Sequence, residues 1–204
     1  QSAGDERALL QGVDVDAFAE IPIETRPQAA PGPYTPYRYA PSAAVPEFAA
    51  IGGPQIMRFT GSSHDERGHL TKNPTTVARL NQHLRAKIES RRDELAMVRA
   101  DLQQGARTLL ISYGTSAGSM RAAALRAHSN GLRVSTLTIH SLWPVPDRQI
   151  SAALTGIERI VVIELNQGQY RREIERYAGT REVIGVHRVD GELITPQEIL
   201  AAIR

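Results

Sequence analysis

From residue 106 to the end, apolar and polar positions follow two alternating rhythms. Residues 108–113, Thr-Leu-Leu-Ile-Ser-Tyr, form a short, nearly unbroken apolar run, which predicts a strand buried on both faces. A turn at 114–118 follows. An Ala-rich helix is then predicted over 120–128, stopped by Asn130-Gly131. Further strands are predicted at 134–139, 159–164 and 182–189, and helices at 147–154 and 169–177. Pro144 and Pro146 break the chain before the first of those helices, and Asp147 is placed to cap it. Thr195-Pro196-Gln197-Glu198 reads as a capping box with proline at the first helical position, and it opens a terminal helix. Strands alternating with helices predict an α/β fold: three layers around a mostly parallel sheet.

Upstream the rhythm changes. Asn73-Pro74 gives an N-cap and a first-turn proline. Val77, Leu80, Leu84, Ile88, Leu95, Val98 and Leu102 recur at helical spacing, interrupted only by Arg91-Arg92. That stripe predicts one helix of about seven turns ending near Gly105. Residues 1–56 hold eight of the twelve prolines, enough to forbid a regular helix across them. Residues 31–39, with three tyrosines among three prolines, read as an extended segment lying against something. The stretch 1–56 is expected to be a strap over a neighbouring domain.

Composition removes several function classes. The 204 residues carry 24 basic and 22 acidic side chains, a net charge of +2. Arg91-Arg92 and Arg171-Arg172 are isolated pairs, so nucleic-acid binding is not expected. No apolar stretch approaches the roughly 20 residues of a membrane span, and no signal peptide is visible, so a cytoplasmic protein is expected. The polar start at Gln1, without Met, reads as a cut end. There is no cysteine, hence no disulfide and no thiolate-held iron–sulfur cluster in this chain.

Three loops carry candidate chemistry. Residues 60–69 place His64, Asp65, Glu66 and His69 close together, but at no standard metal-ligand spacing. A structural turn is the expected role, with Asp65 accepting backbone N–H groups. Gly114 and Ser116 lie in a strand-to-helix turn of small residues. It could hold a phosphate on a helix N-terminus, or it could simply let the helix pack closely. Glu164, Asn166 and Gln169 lie where a strand ends and a helix begins, the edge at which open α/β sheets bind ligands. Glu164 could be a base there; a bond to a neighbouring turn or a partner subunit is the favoured role. His83, His128, His140, Trp143 and His187 are read as packed or solvated. Nucleophile elbows and the Gly-Asp-Gly cradle for thiamine diphosphate are missing.

Three segments, in order, resemble one family, the alpha subunits of 2-oxoacid:ferredoxin oxidoreductases. Thr60 to His69 resembles a Thr-Gly-x-x-His-Asp-x-x-Gly stretch, with Ser63 where many members have Glu. Leu142-Trp143-Pro144-Val145-Pro146 resembles a Leu-aromatic-Pro-Phe-Pro turn, Val145 replacing Phe. Val162 to Gln169 resembles a Val-Val-Glu-x-Asn-x-Gly-Gln segment. The resemblance covers roughly residues 20–204.

This resemblance implies a two-part organisation. Residues 1–70 would be the end of a pyrimidine-binding domain and an extended linker. Residues 71–204 would be a domain like the C-terminal domain of transketolase. The complete enzyme would decarboxylate a 2-oxoacid, 2-oxoglutarate being the first choice. It would pass electrons to ferredoxin or another acceptor and form an acyl-coenzyme A. Thiamine diphosphate, magnesium and iron–sulfur clusters would belong to the complete enzyme, with none bound by this chain alone. The partners implied are a beta subunit and a second alpha subunit. The chain itself would be structural, subunit-assembling and inactive in isolation. The loop at His64 and Asp65 would approach the mouth where substrate or coenzyme A arrives. Competing readings are a stand-alone module binding a phosphorylated ligand or a protein, and the C-terminal domain of another transketolase-like enzyme.

Overall fold

A computed structural model describes residues 27–38, 41 and 44–203. The N-terminal part of the expected strap and Tyr39 lie outside the described residues. The chain divides into two compact units, Gln1–Gln82 and His83–Arg204.

In the first unit, residues 27–56 contain turns and a lone bridge between Gln28 and Phe48 among the described residues. This agrees with the proline content. Two tyrosines tie the segment together. The Tyr34 hydroxyl donates to the Glu47 carbonyl at 3.1 Å and accepts from the Ala49 amide at 3.3 Å. The Tyr37 hydroxyl accepts from the Thr60 amide at 3.1 Å.

Helix α1 spans Pro74–Glu89 and starts as the sequence predicts: Asn73 Oδ1 accepts the Thr76 amide at 3.0 Å. It does not run on to Gly105. After Glu89 come a single turn, α2 (Arg92–Leu95), and then strand β1 (Val98–Asp101), which pairs antiparallel with β3. The spacing of Leu95, Val98 and Leu102 fits a helix, but the outer edge of β3 offers β1 a full set of backbone partners. Val98 packs onto the core, whereas Leu102 is exposed.

The second unit continues with β2 (Thr108–Tyr113), α3 (Ser116–Ser129), β3 (Val134–Ile139), α4 (Asp147–Ala153), β4 (Arg159–Glu164), α5 (Gln169–Ala178), β5 (Glu182–His187) and α6 (Pro196–Ile203). Strands 108–113, 134–139 and 159–164 match the predicted limits. The sheet order is β1-β3-β2-β4-β5, parallel except for β1. The peptide between Trp143 and Pro144 is cis.

The sheet is covered on both faces. On one, Leu109, Ile111, Leu137, Ile160 and Val162 pack against α4 and α5 through Ile150, Tyr170 and Ile174. On the other, Leu110, Val161 and Ile163 pack against α3 and α6 through Met120, Ala123, Ala127, Ile199 and Ile203. These are the three layers and the mostly parallel sheet the pattern predicts. The alanines of α3 let its axis approach the strands closely. The capping box at α6 forms reciprocally: Glu198 Oε2 accepts the Thr195 amide at 2.7 Å, and the Glu198 amide reaches Thr195 Oγ1 at 3.3 Å.

Candidate functional site

Strand order fixes where a site can form. From β2 the chain crosses by α3 to β3 on one side. From β3 it crosses by α4, on the opposite face, to β4 on the other side. The C-terminal ends of β2 and β4 therefore flank the topological switch point, where open α/β sheets leave a crevice. The Gly114 and Ser116 turn follows β2, and Glu164, Asn166 and Gln169 follow β4. The structure thus gathers these five sequence-selected residues at one sheet edge.

Glu164 fills that edge. Its carboxylate is buried, 1% exposed. Oε2 accepts from the Tyr113 hydroxyl at 2.9 Å, Asn166 Nδ2 at 2.9 Å and the Tyr170 amide at 3.0 Å. Oε1 accepts from the Arg171 amide at 3.0 Å and lies 3.5 Å from His187 Nε2. Asn166 completes the arrangement: its Oδ1 accepts the Gly168 and Gln169 amides at 2.8 and 3.0 Å, and its Nδ2 donates to the Tyr113 hydroxyl at 2.6 Å. The orphan N–H groups at the start of α5 are thereby satisfied from within the chain. The partial positive charge of that helix end meets a carboxylate where an anionic ligand would otherwise sit.

Burial, and then the hydrogen bond to Glu164, push the Tyr113 phenol up to about 12. Burial also pushes the Tyr170 phenol up. Tyr170 meets Tyr113 edge-on, ring centroids 5.5 Å apart, and its buried hydroxyl has no partner among the described residues.

His187 explains two glycines. It stands beside Glu164 in the β4–β5 register. A Cβ on Gly168 would lie 2.6 Å from the imidazole Cε1, and one on Gly185 only 2.2 Å from it. Gly168 also has φ +85°, a left-handed conformation favouring glycine. Sequence reasoning assigned His187 to packing and missed its place beside Glu164. The signal was available, since two strands that both end at this edge bring their last residues together.

The turn after β2 is less engaged. Gly114 has φ +56°, Thr115 makes no side-chain cap, and Ser116 is buried. The backbone closes the turn itself, the Ala117 and Gly118 amides reaching the Gly114 and Thr115 carbonyls at 3.3 and 3.1 Å.

His64 and Asp65 belong to the first unit. Asp65 Oδ1 accepts the Arg67 and His69 amides at 2.9 and 3.0 Å, and the Gly68 amide reaches the Asp65 carbonyl at 3.0 Å. Backbone bonding, chiefly from His69, holds the Asp65 carboxyl below its usual value. His64 is buried, its ring 3.9 Å from that of Tyr37 and its Nδ1 2.9 Å from the Asp65 carbonyl oxygen. Asp65 organises this loop as an Asx turn, the structural role its sequence context suggests.

Comparison with known proteins finds similar chains. Residues 106–199 match the model described as pyruvate:ferredoxin oxidoreductase core domain II. The chain is 35% identical over 201 residues to 2-oxoglutarate synthase subunit KorA of Methanothermobacter thermautotrophicus, an alignment covering 97% of this chain and 53% of that protein. It is 33% identical over 194 residues to KorA of Methanothermobacter marburgensis, covering 94% and 52%. The structure of 2-oxoglutarate:ferredoxin oxidoreductase from Magnetococcus marinus, with 2-oxoglutarate, coenzyme A and succinyl-CoA bound, superposes with a TM-score of 0.71 at 24% identity. That match covers 89% of this chain and 32% of the other, and it shows the fold. The chain spans about half the length of the curated relatives it matches.

Proposed function

We propose that this chain, similar to 2-oxoglutarate synthase subunit KorA and matching a core domain II model at residues 106–199, is the C-terminal portion of the alpha subunit of a 2-oxoacid:ferredoxin oxidoreductase. The complete enzyme converts 2-oxoglutarate to its acyl-coenzyme A and reduces ferredoxin. This portion is structural and assembles subunits. The observation that carries the reading is the relationship to KorA along nearly the whole chain. The choice of 2-oxoglutarate rests on the same relatives.

The described residues do not fit a cofactor site. There is no cysteine for a cluster. Among the described residues, no group of three or more His, Asp or Glu side chains could hold a metal ion. The best-placed cradle for a diphosphate, the N-terminus of α5, is filled by Glu164 and Asn166. Thiamine diphosphate, magnesium and clusters are assigned, in this reading, to the remainder of the enzyme.

Exposed apolar side chains support the assembling role. Ile51, Ile56, Phe59 and Leu70 are 68 to 81% exposed in the first unit, and Trp143 is 70% exposed in the second. The partners proposed are a beta subunit and a second alpha subunit. The loop at His64 and Asp65 is proposed to lie near the mouth of the active site, with Asp65 fixing its shape.

The test uses the complete alpha subunit assembled with its beta subunit. Coenzyme A-dependent ferredoxin reduction is expected to favour 2-oxoglutarate over pyruvate by about tenfold or more in kcat/KM. Preference for another 2-oxoacid would overturn the substrate. Turnover by the 204-residue chain alone would overturn the supporting role. Asp65→Ala should raise a Michaelis constant, and unchanged values for both substrates would remove the loop from the mouth.

A further inference from the structure

The sheet carries a second polar feature, away from the switch point. In the β1–β3 register Arg99 lies opposite Thr138, and Asp101 opposite Thr136. Alternation along each strand puts these four side chains on one sheet face, that of α3. Helix α3 contributes Arg121 and His128 to the same groove, whose volume is about 230 Å³.

Three properties of the groove point in one direction. Thr136 and Thr138 form its floor, only 5% and 3% exposed. A strand position facing a helix ordinarily carries an aliphatic side chain, whereas here two adjacent hydroxyls line the groove and offer donors to an occupant. Arg99 and Arg121 line the groove, and neither makes an ion pair among the described residues. Asp101 is the one acid in the lining, and its Oδ1 already accepts from Gln103 Nε2 at 2.7 Å. His128 bonds the Val134 carbonyl through Nε2 at 2.9 Å, which fixes that nitrogen as the donor and turns the ring into a wall.

We propose that this groove binds a small oxyanion of the phosphate class. The two guanidinium groups supply charge, and the two threonine hydroxyls donate from the floor. The volume suits a phosphate-sized group and falls below that of pockets for larger ligands. The group could be free phosphate or the terminus of a phosphorylated small molecule, and the experiment separates them. The inference is independent of the enzyme reading above, since binding here needs neither turnover nor a partner.

The full chain would be titrated with inorganic phosphate and, separately, glycerol 3-phosphate, with chloride at matched ionic strength as the blank. Amide resonances would be followed by NMR. Both anions are expected to shift residues 99, 121, 136 and 138 at concentrations on the order of 10 mM or below. Tighter binding of the ester would indicate a phosphorylated ligand, and equal binding the free ion. Arg121→Ala should weaken both by about tenfold. Arg126→Ala, on the same helix but outside the groove, should change neither. The proposal is overturned if chloride shifts the same residues equally, if the shifts fall on residues 114–119 instead, or if the two arginine variants weaken binding alike. Thr138→Val removes one hydroxyl at nearly constant volume, so a folded variant that binds undiminished would also overturn it.

Discussion

At Glu164 one carboxylate accepts from two backbone amides, a phenol and a side-chain amide, so truncating it strands several buried donors at once. Glu164→Ala is expected to lower stability by about 3–5 kcal/mol in urea unfolding. Glu164→Gln, which keeps one acceptor oxygen, should cost less. Near-equal stability of Glu164→Ala and the parent would show that the cap is dispensable. Alkaline titration examines the same cluster. The Tyr113 phenol is held neutral to about 12, above its ordinary value of 10.0, and Tyr170 is shifted the same way. Stability from these groups is whole below pH 10 and is lost as pH rises through their folded values. Ultraviolet titration should show these two phenols ionising above the ordinary value of 10.0, with Tyr113→Phe removing one of them. Ionisation of all tyrosines together near their ordinary value would contradict the burial. From sequence, Glu164, Asn166 and Gln169 stood out by their place after a predicted strand. Tyr113 and Tyr170 did not, because a phenol at a strand end or a helix start advertises no partner until the strand order is known.

At the level of elements, β5 and the loop before α5 are fitted to each other through the His187 ring. Gly185→Ala is expected to cost about 1–3 kcal/mol by driving a Cβ into that ring. In the double variant with His187→Ala most of that cost should return. Gly168→Ala should remain destabilised even without the ring, because its φ of +85° is itself unfavourable to a side chain. A double-mutant cycle on unfolding free energies checks both, and additivity at Gly185 would refute the fit. The predicted elements that held were those whose signal is local. Buried strands read as continuous apolar runs, and the starts of α1 and α6 read from Asn73-Pro74 and Thr195-Pro196. The element that failed was β1. Four residues with mixed exposure carry no strand signal of their own, and only the unpaired edge of β3, distant in sequence, selects strand over helix there.

Over the whole second unit, protection should be graded across the sheet. Strands β2, β3 and β4 have neighbours on both sides, whereas β1 and β5 form the edges. Native-state hydrogen exchange should find the slowest amides in β2 and β4 and faster ones in β1. Equal protection in β1 and β2 would mean that the edge is covered in solution. The three-layer architecture was legible from the alternation of strands and helices alone. The location of the switch point was not, because it depends on β3 and β4 lying on opposite sides of β2, an order no local pattern records. That switch point has a thermodynamic consequence. In a protein whose crevice accepts a diffusing anion, the stability gained there rises and falls with the anion's concentration. Here the anion is covalently part of the chain, one carboxylate fixed at the start of α5 in every molecule. This corner of the fold therefore stays closed under dilution, dialysis and starvation alike.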